Sequence, residues 1–222
     1  MAQRTPMRPP PGRQQLSREF IAQHQRARII AALATETAAQ GYRAVTVADI
    51  VRRAGIARNT FYENFSSKED CFLATQAYAA DEALGRVVAA ACKVETWEGR
   101  VDAGLQAFLA YVASEPALAH TCIVEALSAG PASLARYEES LEYFIELLRI
   151  GREASPRGDE LPETLEETII GGLFWVIYQR IIHGEAETVE ALRPQLVEFA
   201  LTPYIGGEAA VKAAPERPAQ AA

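Results

Sequence analysis

Residues 46–72 read TVADIVRRAGIARNTFYENFSSKEDCF. Val47, Ile50, Val51 and Ala54 recur at helical spacing, so the residues after Thr46 form a short helix with one buried face. Thr46 is a suitable N-cap, and Gly55 supplies the turn that ends the helix. Ile56 drops back into the core. Phe61 and Phe65, four apart, give a second short helix over about 58–64 its own buried side. That leaves Arg58, Asn59, Thr60, Tyr62 and Glu63 on its leading end and outer face. A longer helix from Ser17 to about Gln40, with Ile29, Ile30 and Leu33 inward, precedes the pair and closes at Gly41. Three helices with a tight glycine turn between the last two form the helix-turn-helix pattern. Its final helix fits a DNA major groove and brings its first residues to the base edges.

The motif has a specific likeness. Thr46, Val47, Ile50, Ala54, Gly55, Thr60, Tyr62, Phe65, Ser67, Lys68, Glu69 and Phe72 follow the pattern T[VI]xxIAxxAGVSxGTxYxHFxSKExLx. The stretch thus resembles the DNA-binding domain of the TetR (tetracycline repressor) family of bacterial regulators. The resemblance implies that Arg58 and Asn59 face bases and that Thr60 touches bases or phosphate. It also implies phosphate contacts from Tyr62 and Lys68, with Thr46 capping its helix and touching the DNA backbone. Three positions depart from the pattern. Ala57 stands where a serine usually caps the recognition helix, Asn59 replaces a small residue and can read adenine, and Asn64 stands where histidine is common.

Charge supports an anionic partner for this end alone. The chain of 222 residues carries a net charge of -7, yet residues 1–75 hold eleven Lys and Arg against six Asp and Glu. The remainder holds eleven against twenty-three. A basic head therefore precedes an acidic body. Residues 1–16 are rich in Pro, Gln and Arg and read as a disordered basic arm, in which Arg4, Arg8 and Arg13 are candidates to enter a minor groove.

The expected organisation is all-α, about nine helices in total: a helix-turn-helix domain over 17–66, a helical effector-binding and dimerisation domain over 67–205, and a disordered tail over 206–222. Proline and glycine punctuate the body. Trp97 to Ser114 is one helix, Pro116 to about Ser128 the next, and Pro131 opens another with Leu134, Tyr137, Leu141, Phe144 and Leu148 on one face. Residues 156–162 read as a linker. The last two helices cover about 163–183 and 187–204, with Pro194 a possible kink.

By resemblance those two helices pair with a second copy as a four-helix bundle, and Ile169, Gly172, Leu173, Val176, Leu192, Leu196 and Phe199 are the candidate interface. Gly171 and Gly172 each weaken a helix interior by about 1 kcal/mol, so close helix approach would account for them. Two paired heads suit a pseudo-palindromic double-stranded DNA operator. The middle helices would enclose a pocket for a small, largely apolar effector. Its candidate lining is Trp97, Phe108, Tyr111, Tyr137, Phe144, Trp175 and Tyr178, with Cys122 and Glu125 as polar contacts.

Enzyme chemistry finds little support. The histidines are His24, His120 and His183, and the offsets in His120, Cys122, Glu125 do not share one helical face. No GxGxxG, P-loop or GxSxG occurs. No catalytic residue, metal site or cofactor is expected. The three cysteines form no CxxC pair, there is no apolar leader or membrane span, and the expected setting is the cytoplasm. Repression is the expected mode; activation, or effector-independent DNA organisation, stays open. Asn59→Ala should relax base preference at one or two operator positions by about 1–3 kcal/mol, read from binding to single-position duplex libraries. Unchanged preference would remove Asn59 from the base-reading set.

Overall fold

A computed structural model describes residues 18–216, and among the described residues all regular structure is helical. The arm arginines Arg4, Arg8 and Arg13 and residues 217–222 lie outside the described residues. Helix α1 (Arg18–Gln40) ends at Gly41, whose φ of 79° suits a residue without a side chain. Helix α2 (Val47–Ala54) opens with a capping box: the Thr46 side chain accepts from the Asp49 N–H, and the Asp49 carboxylate accepts from the Thr46 N–H at 3.0 Å. Gly55, at φ 62°, caps its end, and α3 (Arg58–Asn64) follows.

The long helix α4 (Lys68–Ala91) starts on Ser67, whose hydroxyl accepts from the Asp70 N–H at 3.0 Å. Then come α5 (Trp97–Ser114), α6 (Pro116–Ala119), α7 (Pro131–Arg149), α8 (Gly151–Ala154), α9 (Leu165–Ile182), α10 (Arg193–Ile205) and α11 (Gly207–Ala213). The nine expected helices all have counterparts; α8 and α11 are additional.

Three local differences from the sequence reading have physical causes. The run after Pro116 is one α turn that loosens into a π turn at His120–Val124 and a 3-10 turn at Glu125–Leu127. Within it the Thr121 hydroxyl bonds the Ala117 carbonyl at 2.8 Å and lies 3.2 Å from the Ala34 carbonyl of α1. Pro194 stands in the first turn of α10, where its missing N–H costs nothing, and residues 186–192 before it are 3-10. The tail expected to be disordered from Gly206 instead forms α11, because Ala210 is fully buried against the body.

Two hydrophobic cores organise the chain. The head core gathers Ile29, Leu33, Ile50, Phe61, Phe65 and Phe72, and it extends past the expected boundary at residue 66 to Ala79 of α4 and Leu118 of α6. Each buried phenylalanine contributes about 1.5–3 kcal/mol relative to exposure. The body core runs from Ala83 and Val87 of the same α4 through α5, α7, α9 and α10. One helix thus serves both.

The far end of the body is held by a buried carboxylate. Glu166 of α9 accepts two bonds from Arg152 of α8, at 2.9 and 2.8 Å, and one from the Tyr204 hydroxyl of α10 at 2.7 Å. Arg152 also donates to the Leu161 and Pro162 carbonyls, so the segment read as a linker is tied down. Burial alone would raise the Glu166 carboxyl, but the bonds from Arg152 and Tyr204 outweigh it and hold the group below its ordinary value. Its stabilising effect is therefore present above the unfolded carboxylate value and is lost as pH falls through the depressed folded one. Glu166→Ala should cost about 3 kcal/mol in urea unfolding at neutral pH, and the deficit should shrink in acid. A pH-independent or negligible deficit would contradict this role.

Candidate nucleic-acid interface and ligand cavity

The buried Phe61 and Phe65 fix the roll of α3, and its other side faces outward. Arg58, Asn59, Tyr62 and Glu63 are exposed and Thr60 is half-buried. Tyr62 is 47% exposed, a large aromatic left in water. The Arg58 guanidinium lies 5.7 Å over the Tyr62 ring and 3.4 Å from its hydroxyl, so a cation and a phenol are presented together. Ala57 precedes α3 in extended conformation and provides no side-chain cap. Thr46 is exposed, yet its hydroxyl also donates to Asp49 at 2.6 Å. Bonds from the Thr46 side chain and backbone hold the Asp49 carboxyl below its ordinary value.

Lys68 is placed differently from a free phosphate ligand. Its ammonium donates to the Tyr42 carbonyl at 2.9 Å and the Val45 carbonyl at 2.7 Å, and it sits 4.2 Å from the centre of the Tyr42 ring. Burial lowers its pKa. Two of its three donors therefore pin the 41–46 turn to the start of α4.

Other head cations are also committed. Arg26 donates to the Asn64 carbonyl at 3.1 Å and covers the Phe65 ring, and Arg28 donates to the Ala54 carbonyl. Arg53 pairs with the buried Glu36 at 2.6 Å. A count of basic residues could not reveal these roles, because every partner but Glu36 is a backbone carbonyl or a ring.

The body contains an apolar cavity of about 390 Å³ between α4, α5, α7 and α9. Val87, Gly104, Phe108, Phe144, Phe174 and Ile177 wall it, and Val88, Cys92, Arg100 and Ile150 also line it. Arg100 is its one charged lining residue, and its Nε donates to the Val94 carbonyl at 2.9 Å. A smaller chamber of about 60 Å³ shares the Phe108, Phe144 and Phe174 walls and is bounded by Gln76, Tyr111, Cys122 and Tyr137. The three shared phenylalanines are in mutual contact, with ring centroids 5.3–5.8 Å apart.

Of the residues expected at a pocket, Trp97, Phe108 and Phe144 line the larger cavity, and Tyr111, Cys122 and Tyr137 line the smaller one. Glu125, Trp175 and Tyr178 line neither. The Glu125 carboxylate turns to the head, accepting from the Tyr42 N–H at 3.2 Å and from the Ser128 hydroxyl. Trp175 is 61% exposed because it lies opposite the buried stripe Ile169, Leu173, Ile177, and its ring stacks on Tyr178 at 5.5 Å. Burial pushes the Cys122 thiol up to about 12, so it stays protonated and unreactive at neutral pH.

The expected dimer residues divide. Ile169, Leu173 and Leu196 are buried within this chain's own core, and Val176 and Leu192 pack against it. Phe199 is half-exposed, resting over Gly172, where a Cβ would stand 3.4 Å from its ring. The exposed apolar positions of α9 and α10 are thus Gly171, Trp175, Ile182 and Phe199, with Gly172 half-buried under Phe199 and with Glu167, Thr168, Arg180, Gln195 and Thr202 also exposed. Among the described residues no His, Cys, Asp and Glu group is arranged to hold a metal ion, and no single helix is long and apolar enough to cross a membrane.

A helix-turn-helix head with an exposed recognition helix, joined by a shared helix to a body with an apolar cavity, defines a DNA-binding protein with room for a ligand. Residues 29–75 match the family model for bacterial regulatory proteins of the tetR family, so the head of this chain is similar to that family's DNA-binding domain. No curated protein sequence matches the chain. Among solved structures, the fatty acid degradation regulator FadR from Bacillus halodurans aligns with a TM-score of 0.72 at 21% identity, covering 80% of this chain and 94% of its own. FadR from Bacillus subtilis, solved in complex with stearoyl-CoA, gives 0.69 at 18%, covering 80% and 98%. A TetR-family transcriptional regulator from Bordetella parapertussis gives 0.63 at 23%, covering 81% and 95%. The likeness at these identities is one of fold, and it spans head and body alike.

Because Ala57 already has the extended geometry of a cap, Ala57→Ser should add about 1 kcal/mol of head stability. Thermal unfolding of the variant would check it; an unchanged or lower midpoint would mean the N-terminus of α3 gains nothing from a hydroxyl.

Proposed function

We propose that this protein is a transcriptional repressor that binds its operator as a homodimer and is released by an effector carrying a long apolar chain. The observation that carries the reading is the cavity: apolar walls, a single arginine among its lining residues, and α4 as one wall. That helix also belongs to the head core, so a change in the cavity is felt where α3 is held. An acyl chain fits the walls by burial of its methylenes, at about 0.8 kcal/mol each. Arg100 suits an anionic head group left outside. The stearoyl-CoA held by the Bacillus subtilis protein of similar fold supports the same ligand class.

In this reading Arg58 and Asn59 meet bases, while Thr46, Thr60 and Tyr62 position the head on the backbone. Lys68 acts first as the clamp on the turn before α2. The outward aromatic face of α9 and α10, centred on Trp175 and Phe199 beside Gly171 and Gly172, pairs with a second copy. Two heads then read a pseudo-palindromic site in the cytoplasm. Coupling runs through the bonds from Tyr42 to Glu125 and from Thr121 to Ala34, which tie the head to the π turn and to the 3-10 turn after it.

The test begins by selecting the binding site from random duplexes with the full chain. Long-chain acyl-CoA should then release the wild-type protein from that site. Val101 also lines the cavity, so Val101→Trp should fill it, keep operator affinity and lose release. Trp175→Glu should convert the dimer to monomer in light scattering and weaken operator binding at least tenfold. Operator binding that persists with every acyl chain at saturation would refute the effector class.

A further inference from the structure

The smaller chamber has a chemistry the larger one lacks. Gln76 and Tyr111 both line it, and they are 4% and 5% exposed. The Gln76 side-chain amide nitrogen donates to the Ser133 carbonyl at 3.3 Å, which sets the orientation of the group. Its Oε1 then has no donor, and the Tyr111 hydroxyl has no partner either, among the described residues. Buried polar atoms are nearly always paired in native proteins, so two such atoms on one small chamber mark a place for a polar occupant. The Tyr137 hydroxyl also belongs to a residue of this wall and adds to its capacity for a polar occupant, while the remaining polar groups are occupied or weak. Ser140 donates to the Arg136 carbonyl at 2.8 Å, and the Cys122 thiol is a poor donor.

An acceptor and a hydroxyl on one wall suit an occupant that both donates and accepts, as a water molecule or an alcohol does. An alcohol can donate to an acceptor such as Gln76 Oε1 and can accept from a hydroxyl such as that of Tyr111, whereas a carboxylate would face Oε1 with repulsion. The chamber's volume of about 60 Å³ admits the end of a chain but not a whole effector. Phe108, Phe144 and Phe174 are all that is common to the aromatic partition between it and the apolar cavity.

We propose that this inner chamber is the specificity subsite for the far end of the effector, and that it binds a hydroxyl borne by the acyl chain. The proposal rests on the acyl-effector reading above. The chain lies in the outer cavity, the three rings turn aside, and the terminal hydroxyl bonds Gln76 and Tyr111. Occupancy presses on the elements nearest the head: Gln76 lies on α4 one turn beyond Phe72, and Leu118 and Cys122 come from the segment packed on α1. A plain chain fills only the outer cavity and moves the head less.

Isothermal titration of the full chain with palmitoyl-CoA and with its ω-hydroxy derivative tests this. The hydroxylated chain should bind about tenfold tighter, a difference of about 1.4 kcal/mol. Tyr111→Phe and Gln76→Leu should each erase that preference while leaving palmitoyl-CoA affinity within about twofold, since both keep the apolar walls. Equal or weaker binding of the hydroxylated chain would overturn the subsite and leave the acyl-effector reading standing. So would a preference that survives in both variants, because the hydroxyl would then be read elsewhere. Failure of both compounds to bind would overturn the two readings together.

Discussion

Helix α4 is a member of two hydrophobic cores, and the rest of the molecule is arranged around that fact. Cys71, Phe72 and Ala79 are buried with the head, while Ala83 and Val87, a turn further on, are buried with the body. A helix is stiff along its axis, so neither core can shift at α4 without moving the other. Its start is fixed with unusual thoroughness. Ser67 caps it, Asp70 accepts from the Ser66 N–H, and Lys68 binds two carbonyls of the 41–46 turn before α2. The recognition helix is therefore referenced to the ligand-sized cavity through few intervening parts.

The π turn at His120–Val124 is the second joint. Thr121 of the π turn lies 3.2 Å from the Ala34 carbonyl, and Glu125 of the 3-10 turn that follows accepts from the Tyr42 N–H. Both α6 and the π turn pack on α1. Such turns often mark functional positions in helices. Here it lies between the head and the inner chamber, because Leu118, Ala119, Cys122 and Ile123 also line that chamber.

The head's electrostatics illustrate how far a charge count reaches. Eleven basic residues in the first seventy-five point to an anionic partner. Arg26, Arg28, Arg53 and Lys68 nonetheless hold carbonyls, rings or a buried carboxylate in the folded head. Arg58 remains beside Tyr62 on the outer face of α3. The positive field persists, but fewer cations are available as direct contacts than the sequence suggests.

Local signals were enough for the helix-turn-helix: the 3.6-residue spacing of Ile50, Ala54, Phe61 and Phe65, the caps at Thr46 and Ser67, the glycine at 55, and the missing cap at Ala57. Each depends on neighbours within a few residues, which a sequence displays directly. The same holds for the all-helical body and its proline starts. What needed tertiary structure was the direction in which each body side chain points. Trp175 and Phe108 are equally aromatic in the sequence, yet one lies on the surface and the other walls a cavity, because only packing against α4, α5 and α7 decides which face of a helix is buried. Ile169 and Leu173 turned inward for the same reason, and α11 formed because a distant body offered Ala210 a place. Partners far apart in the chain, such as Lys68 with Tyr42, Glu125 with the head, and Glu166 with Arg152 and Tyr204, carry no local signature. Their pairing exists only once the fold has brought them within reach.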